Sequence, residues 1–201
     1  MKIQRFKEED EWLLARRGKI TGTRLKDLIV KRGTGKKIGY YELIAERLAI
    51  APDDENVMER GHRLEEEAIK KFEKETKKKV DNGLVIWERD DNSSIAISPD
   101  GYIGETEAIE VKCLGSARHL EALLTQAIPK DYEEQILQYF IVNDKLKVLY
   151  FVFYDPRILA KDYFKFEVKR EEVQEKVTEY LELEKATLAE IDAIVNDLSG
   201  F

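Results

Sequence analysis

At 201 residues, 43% of them hydrophobic, the chain is long enough for one domain with a substantial core and too apolar for wholesale disorder. One cysteine and two histidines exclude a disulfide framework, a Cys-ligated cluster and a His-rich metal site. A catalytic metal would then be held by oxygen, which points to Mg2+ or Mn2+. The net charge of −7 conceals an asymmetry: residues 1–37 carry twelve Lys and Arg against five acids, and residues 171–201 carry nine acids against two lysines. A polyanion can bind such a basic end despite the acidic total, although a solvated surface accounts for the same charges.

Along the chain, residues 8–16 read as a helix with Trp12, Leu13 and Ala15 on its apolar side. Gly18 breaks it, and a second helix is predicted over 22–31 with Thr21 as a possible N-cap. Lys31–Gly39 (KRGTGKKIG) is a basic, glycine-rich loop, followed by helices over 40–48 and 57–76. Strands are predicted over 79–88, 95–98, 101–103 and 108–113, with a turn at 90–94. Residues 114–129 are read as a loop and 131–142 as a helix. Residues 147–154 form a nearly continuous apolar run suited to a buried sheet position, and 162–168 a further strand. A long amphipathic helix closes the chain over 170–198. No repeat or linker composition divides the sequence, so a single domain over 1–201 is expected: an α/β fold with a central mixed sheet flanked by helices. No apolar run approaches the roughly 20 residues that span a bilayer, and residues 1–15 hold no apolar signal core. A soluble, intracellular protein, with no membrane partner, is expected.

The segment that points to chemistry is Ser98-Pro99-Asp100-Gly101 followed by Ile109-Glu110-Val111-Lys112-Cys113. Glu110 and Lys112 lie two apart on a strand and so share a face, while Asp100 stands where the preceding strand reaches a turn. Two carboxylates and a lysine in one place are costly to desolvate unless they bind something. Asp100 and Glu110 can supply hard oxygen ligands, the Val111 carbonyl a third, and Lys112 can hold a water beside a metal. Ordinary surface charges on a hairpin are the alternative.

Glu65 weighs against that alternative. At about 100° per residue it falls in the middle of the stripe formed by Ala68, Ile69 and Phe72, while Glu66 and Glu67 point away. A structural ion pair would also explain it. Gln135 lies on the edge of the stripe of Tyr132, Ile136 and Tyr139, where an amide can orient a water or a phosphate oxygen. Arg16-Arg17-Gly18-Lys19-Ile20-Thr21-Gly22-Thr23 offers a helix N-terminus, two hydroxyls and an arginine pair, a possible phosphate cradle. Cys113, His62 and His119 read as packing or surface residues.

In this order, the segments RRGKITGT, RGHRLEEEA, ISPDGYI, IEVKC, YEEQILQYFIV and YFVFYDPRI resemble the phage λ exonuclease family, the YqaJ-like viral recombinase nucleases. That family lies within the restriction-endonuclease-like, or PD-(D/E)xK, superfamily. The resemblance implies a restriction-endonuclease-like core and a Mg2+-dependent 5′-to-3′ exonuclease acting on linear duplex DNA ends, with one or two ions and Mn2+ as a substitute. It places Asp100, Glu110 and the Val111 carbonyl on the metal, with Glu65 near a second metal position. Lys112 would activate the water and Gln135 order the site. Arg16 and Thr23, with Arg17 and Thr21 beside them, would hold the 5′-terminal phosphate. It also implies a homo-oligomer, a trimeric ring, and a single-strand annealing protein as partner in DNA recombination or repair. The cell would be bacterial, archaeal or virus-infected, and the location cytoplasmic. An endonuclease or branched-DNA repair nuclease on the same core, and a catalytically inactive DNA-binding protein, are the competing expectations.

Overall fold

The computed structural model describes residues 37–47 and 57–199. The predicted helices over 8–16 and 22–31, and the phosphate cradle with Arg16, Arg17, Thr21 and Thr23, lie outside these. In chain order the elements are α1 (Ile38–Arg47), α2 (Val57–Thr76), β1 (Trp87–Arg89), β2 (Asn92–Ile97), β3 (Gly101–Ile103) and β4 (Glu107–Lys112). There follow α3 (Ser116–Thr125), a 3-10 turn (Lys130–Tyr132), α4 (Glu133–Val142), β5 (Val148–Tyr154), β6 (Tyr163–Lys169) and α5 (Arg170–Ser199).

The apolar run VLYFVFY becomes β5, a central strand, as its composition requires: β-branched and aromatic residues bury both faces of the pleat. The four-stranded sheet has the order β3-β4-β5-β6, with β4 and β5 parallel and the outer pairs antiparallel. It is the expected mixed sheet, and helices cover both of its faces. On one face Ile109, Val111, Tyr150, Val152 and Tyr154 pack against Leu64, Ala68, Ile69 and Phe72 of α2. On the other Ala108, Phe151, Phe153 and Phe164 pack against Leu137, Tyr139 and Phe140 of α4 and Val177 of α5. The alternation along β4 and β5 follows from the two-residue period of a strand. Phe72 and Phe140 are wholly enclosed; each such burial stabilises the fold by about 1.5–3 kcal/mol.

β1 and β2 form a separate two-stranded ribbon over α4 rather than extending the sheet. Here the structure departs from the expected strand over 79–88. Val80 turns into the core beside α2, Asp81 makes one isolated bridge to Tyr102, and only 87–89 form a strand, with a register shift between Glu88 and Arg89. The Asp81 side chain accepts the Gly83 N–H at 3.1 Å, a local bond that turns the chain out of register. The predicted turn over 90–94 tightens to Asp90-Asp91, so β2 starts at Asn92.

The expected loop over 114–129 contains a helix instead. In α3 the inward positions Ser116, His119, Leu120 and Leu123 have helical spacing, but two of the four are polar, which hides the apolar period. Their burial is supported by specific partners. Ser116 Oγ donates to Asp155 Oδ2 at 2.6 Å, and His119 Nε2 lies 3.0 Å from the Lys161 carbonyl. Asp155, fully buried just beyond β5, also accepts from Arg157 Nε at 2.9 Å and Nη2 at 3.0 Å. This cluster ties the start of α3, which follows β4, to the end of β5. Cys113 is buried against the α2 layer, as expected.

Candidate active site

Gly101 opens β3 at a position too crowded for a side chain. A Cβ there would stand 2.6 Å from Val80 Cγ1 and 3.3 Å from Ile69 Cδ1. Gly101 pairs with Ile109, and the Val111 N–H donates to Asp100 Oδ2 at 2.7 Å. The backbone amide of Val111 is therefore the group that meets Asp100.

Glu110 is only 3% exposed, and three side chains donate to its carboxylate. Its Oε1 accepts from Lys112 Nζ at 2.6 Å and from Gln135 Nε2 at 2.7 Å. Its Oε2 accepts from the Tyr139 hydroxyl at 2.5 Å. Charge-assisted bonds of this kind are short and strong, and three of them hold the carboxylate in one orientation. Lys112 and Glu110 share a face of β4, as their spacing requires, and Gln135 reaches them from α4. Tyr139, predicted only as a core residue, is a member of the site. Its position four residues after Gln135, on the same helix face, is the signal that identifies it, because a buried phenol needs a partner. Burial and the Glu110 charge raise the Tyr139 proton affinity, so it stays a donor.

Asp100 has its pKa raised to about 8. Burial is the main cause, followed by the charge of Glu110; the Val111 N–H opposes them, Glu65 adds repulsion and Lys112 relieves some. Glu65, half-buried on α2 between the enclosed Leu64 and Ala68, thus bears on Asp100 through its charge. Glu66 and Glu67 are exposed as expected, yet Glu67 accepts the Tyr154 hydroxyl at 2.8 Å. Among the described residues no three of His, Cys, Asp and Glu gather into a ready-made metal cluster. The donor set nevertheless fits a divalent cation: hard oxygens, with a carboxylate whose proton affinity is lifted by burial and by a neighbouring carboxylate charge that a cation would offset.

The Lys112 ammonium lies 5.0 Å from the centre of the Tyr132 ring and 6.0 Å from that of Phe151. No helix among the described residues is long and apolar enough to cross a membrane.

A family profile for the YqaJ-like viral recombinase domain matches residues 11–145, a stretch that includes Glu65, Asp100, Glu110, Lys112 and Gln135. The chain is similar to the crystal structure of LHK-Exo in complex with dAMP, with 30% identity and a TM-score of 0.63, over 94% of this chain and 95% of that one. It is similar also to a crystal structure described as an alkaline exonuclease (LHK-Exo) from Laribacter hongkongensis. There the identity is 27% and the TM-score 0.56, over 94% of this chain and 99% of that one. No curated protein sequence gives a match.

Proposed function

The chain belongs to the YqaJ-like viral recombinase family, and from that footing we propose that it is a DNA exonuclease that requires Mg2+ or Mn2+. It digests linear duplex 5′ to 3′ and leaves a 3′ single strand for an annealing partner. The observation that carries the reading is the crowding of Asp100 and Glu110 beside Lys112 at the junction of β3 and β4. The similarity to an alkaline exonuclease over 94% of the chain supports the substrate class.

Asp100 and Glu110 would hold the cation, with the Val111 carbonyl adjacent and Glu65 beside a second position. A bound Mg2+ supplies Lewis acidity at the scissile phosphate and lowers the pKa of water. Lys112, hydrogen-bonded to Glu110, holds the attacking water and offsets negative charge as the phosphate is attacked. Gln135 and Tyr139 keep Glu110 from turning away, so its oxygens need no reorganisation during the reaction. Arg16 and Thr23, with Arg17 and Thr21, would take the 5′-terminal phosphate. A homo-oligomer, in which the basic 1–37 segment of one copy meets the acidic 171–201 segment of another, would surround the duplex.

The test uses 5′-phosphorylated linear, 5′-hydroxyl linear and closed circular duplex with Mg2+, each repeated in EDTA and with Lys112→Ala. Loss of the linear substrates alone, fastest with the 5′-phosphate and absent in EDTA and in the variant, is expected. Cutting of the circle would replace this reading with an endonuclease. No cation-dependent cleavage of any substrate would replace it with a DNA-binding protein.

A further inference from the structure

Lys112 has one carboxylate partner, and one hydrogen bond does not fix a flexible four-carbon chain. What surrounds the rest of its ammonium is aromatic. Tyr132 ends the 3-10 turn ahead of α4, where its N–H bonds to the Pro129 carbonyl at 3.1 Å. Its half-buried ring leans on Phe151 of β5, with centroids 5.4 Å apart. Phe151 stands opposite Glu110 in the parallel pairing of β4 and β5, so it forms the floor of the site. The Tyr132 ring is thereby held as a wall, and the Lys112 side chain, 20% exposed, lies between that wall and Glu110.

We propose that Tyr132 is a positioning residue: its ring face, braced by Phe151, holds the Lys112 ammonium over Glu110 and aims it at the substrate side. The assignment rests on the exonuclease reading for its consequence in catalysis, while the contact itself can be tested apart from catalysis. A cation over a ring face is attracted by the ring quadrupole, and the attraction grows when water is excluded. The property that matters is the face rather than the hydroxyl. Phenylalanine should therefore replace tyrosine, and leucine, of similar apolar bulk, should not.

Two readouts on the full chain test this, each with Tyr132→Phe and Tyr132→Leu. In Mg2+-dependent digestion of linear duplex, Y132L is expected to lower kcat by about 3- to 30-fold with little change in KM, and Y132F to stay near wild type. In acetic anhydride labelling read by peptide mass spectrometry, Lys112 is expected to react severalfold faster in Y132L than in wild type or Y132F. Thermal melting confirms that each variant is folded. Equal Lys112 labelling in wild type and Y132L, or equal losses in Y132F and Y132L, would overturn the proposal. A wild type that digests no duplex would sink the exonuclease reading alone, because labelling reports on Lys112 without a substrate.

Discussion

Asp100 carries a thermodynamic tension that can be measured. An aspartate in an unfolded chain titrates near pH 3.9 or so, whereas burial and the Glu110 charge lift Asp100 to about 8 in the fold. Between those values the native protein keeps a proton that the unfolded chain has released, so this group makes stability fall as pH rises from about 4 to about 8. Asp100→Asn removes the charge and leaves an oxygen for the Val111 N–H. In the absence of divalent cations the variant should melt above wild type at pH 8, with the gap closing towards pH 4. Each kcal/mol of relief corresponds to about 2–4 °C in Tm for a chain of this size. MgCl2 should raise the wild-type Tm at pH 8 and leave the variant nearly unmoved, since a ligand stabilises only the state that binds it. Scanning fluorimetry across pH reads both effects, and a variant that tracks wild type at pH 8 would remove the case for charge crowding. Sequence spacing alone was enough to put Glu110 and Lys112 on one face, whereas Gln135 joined them only through the family resemblance. Tyr139 was not legible in the same way, because the core stripe that contains it explains a tyrosine without any reference to its hydroxyl.

Helix α4 delivers Gln135 and Tyr139, and its C-terminal end is held by two arginines: Arg89 of β1, which donates to the Ile141 carbonyl, and the first residue of the next helix. Arg170, the first residue of α5, donates from Nε to the Leu146 carbonyl at 2.7 Å and from Nη2 to the Phe140 and Asn143 carbonyls at 2.8 and 2.6 Å. Carbonyls at a helix end lack partners within the helix, and a half-buried guanidinium can satisfy several at once. Arg170→Ala should cost about 2–4 kcal/mol in urea unfolding, since three charge-assisted bonds are lost and their acceptors left buried. Arg170→Lys should recover only part, because an ammonium cannot span the same fork of acceptors. A loss below about 0.5 kcal/mol, the level of an ordinary surface substitution, would show that water replaces the arginine there. Elements with one strong period were readable in advance: α2 matches its expected span, and β5 and α5 differ by a residue. The mixed signal of Ser116 and His119 hid α3, and the local Asp81–Gly83 bond, with Val80 drawn into the core, left little of 79–88 to pair as a strand.

For the whole molecule, the charge asymmetry bears on assembly. If basic 1–37 and acidic 171–201 segments hold copies together, the association should weaken when salt rises from about 0.1 M to 1 M, as the screening length shortens from about 10 Å to 3 Å. Light scattering across that range should show the mass falling towards that of one chain. A constant mass would assign any assembly to apolar contacts instead. The sheet order was beyond the sequence, since nothing local to Glu107–Lys112 says that its parallel neighbour begins more than thirty residues later at Val148. Pairing across such a distance is settled by which faces can be covered by α2 and α4.

Strand β4 is two inheritances in one segment. Ile109 and Val111 face the α2 layer and build the core of the domain, whereas Glu110 and Lys112 face α4 and, in the proposed mechanism, carry the reaction. A lineage can therefore lose the reaction through one substitution on the second face while its architecture passes on intact. A one-residue deletion within the strand allows no such separation, because it exchanges the two faces and forfeits both at once.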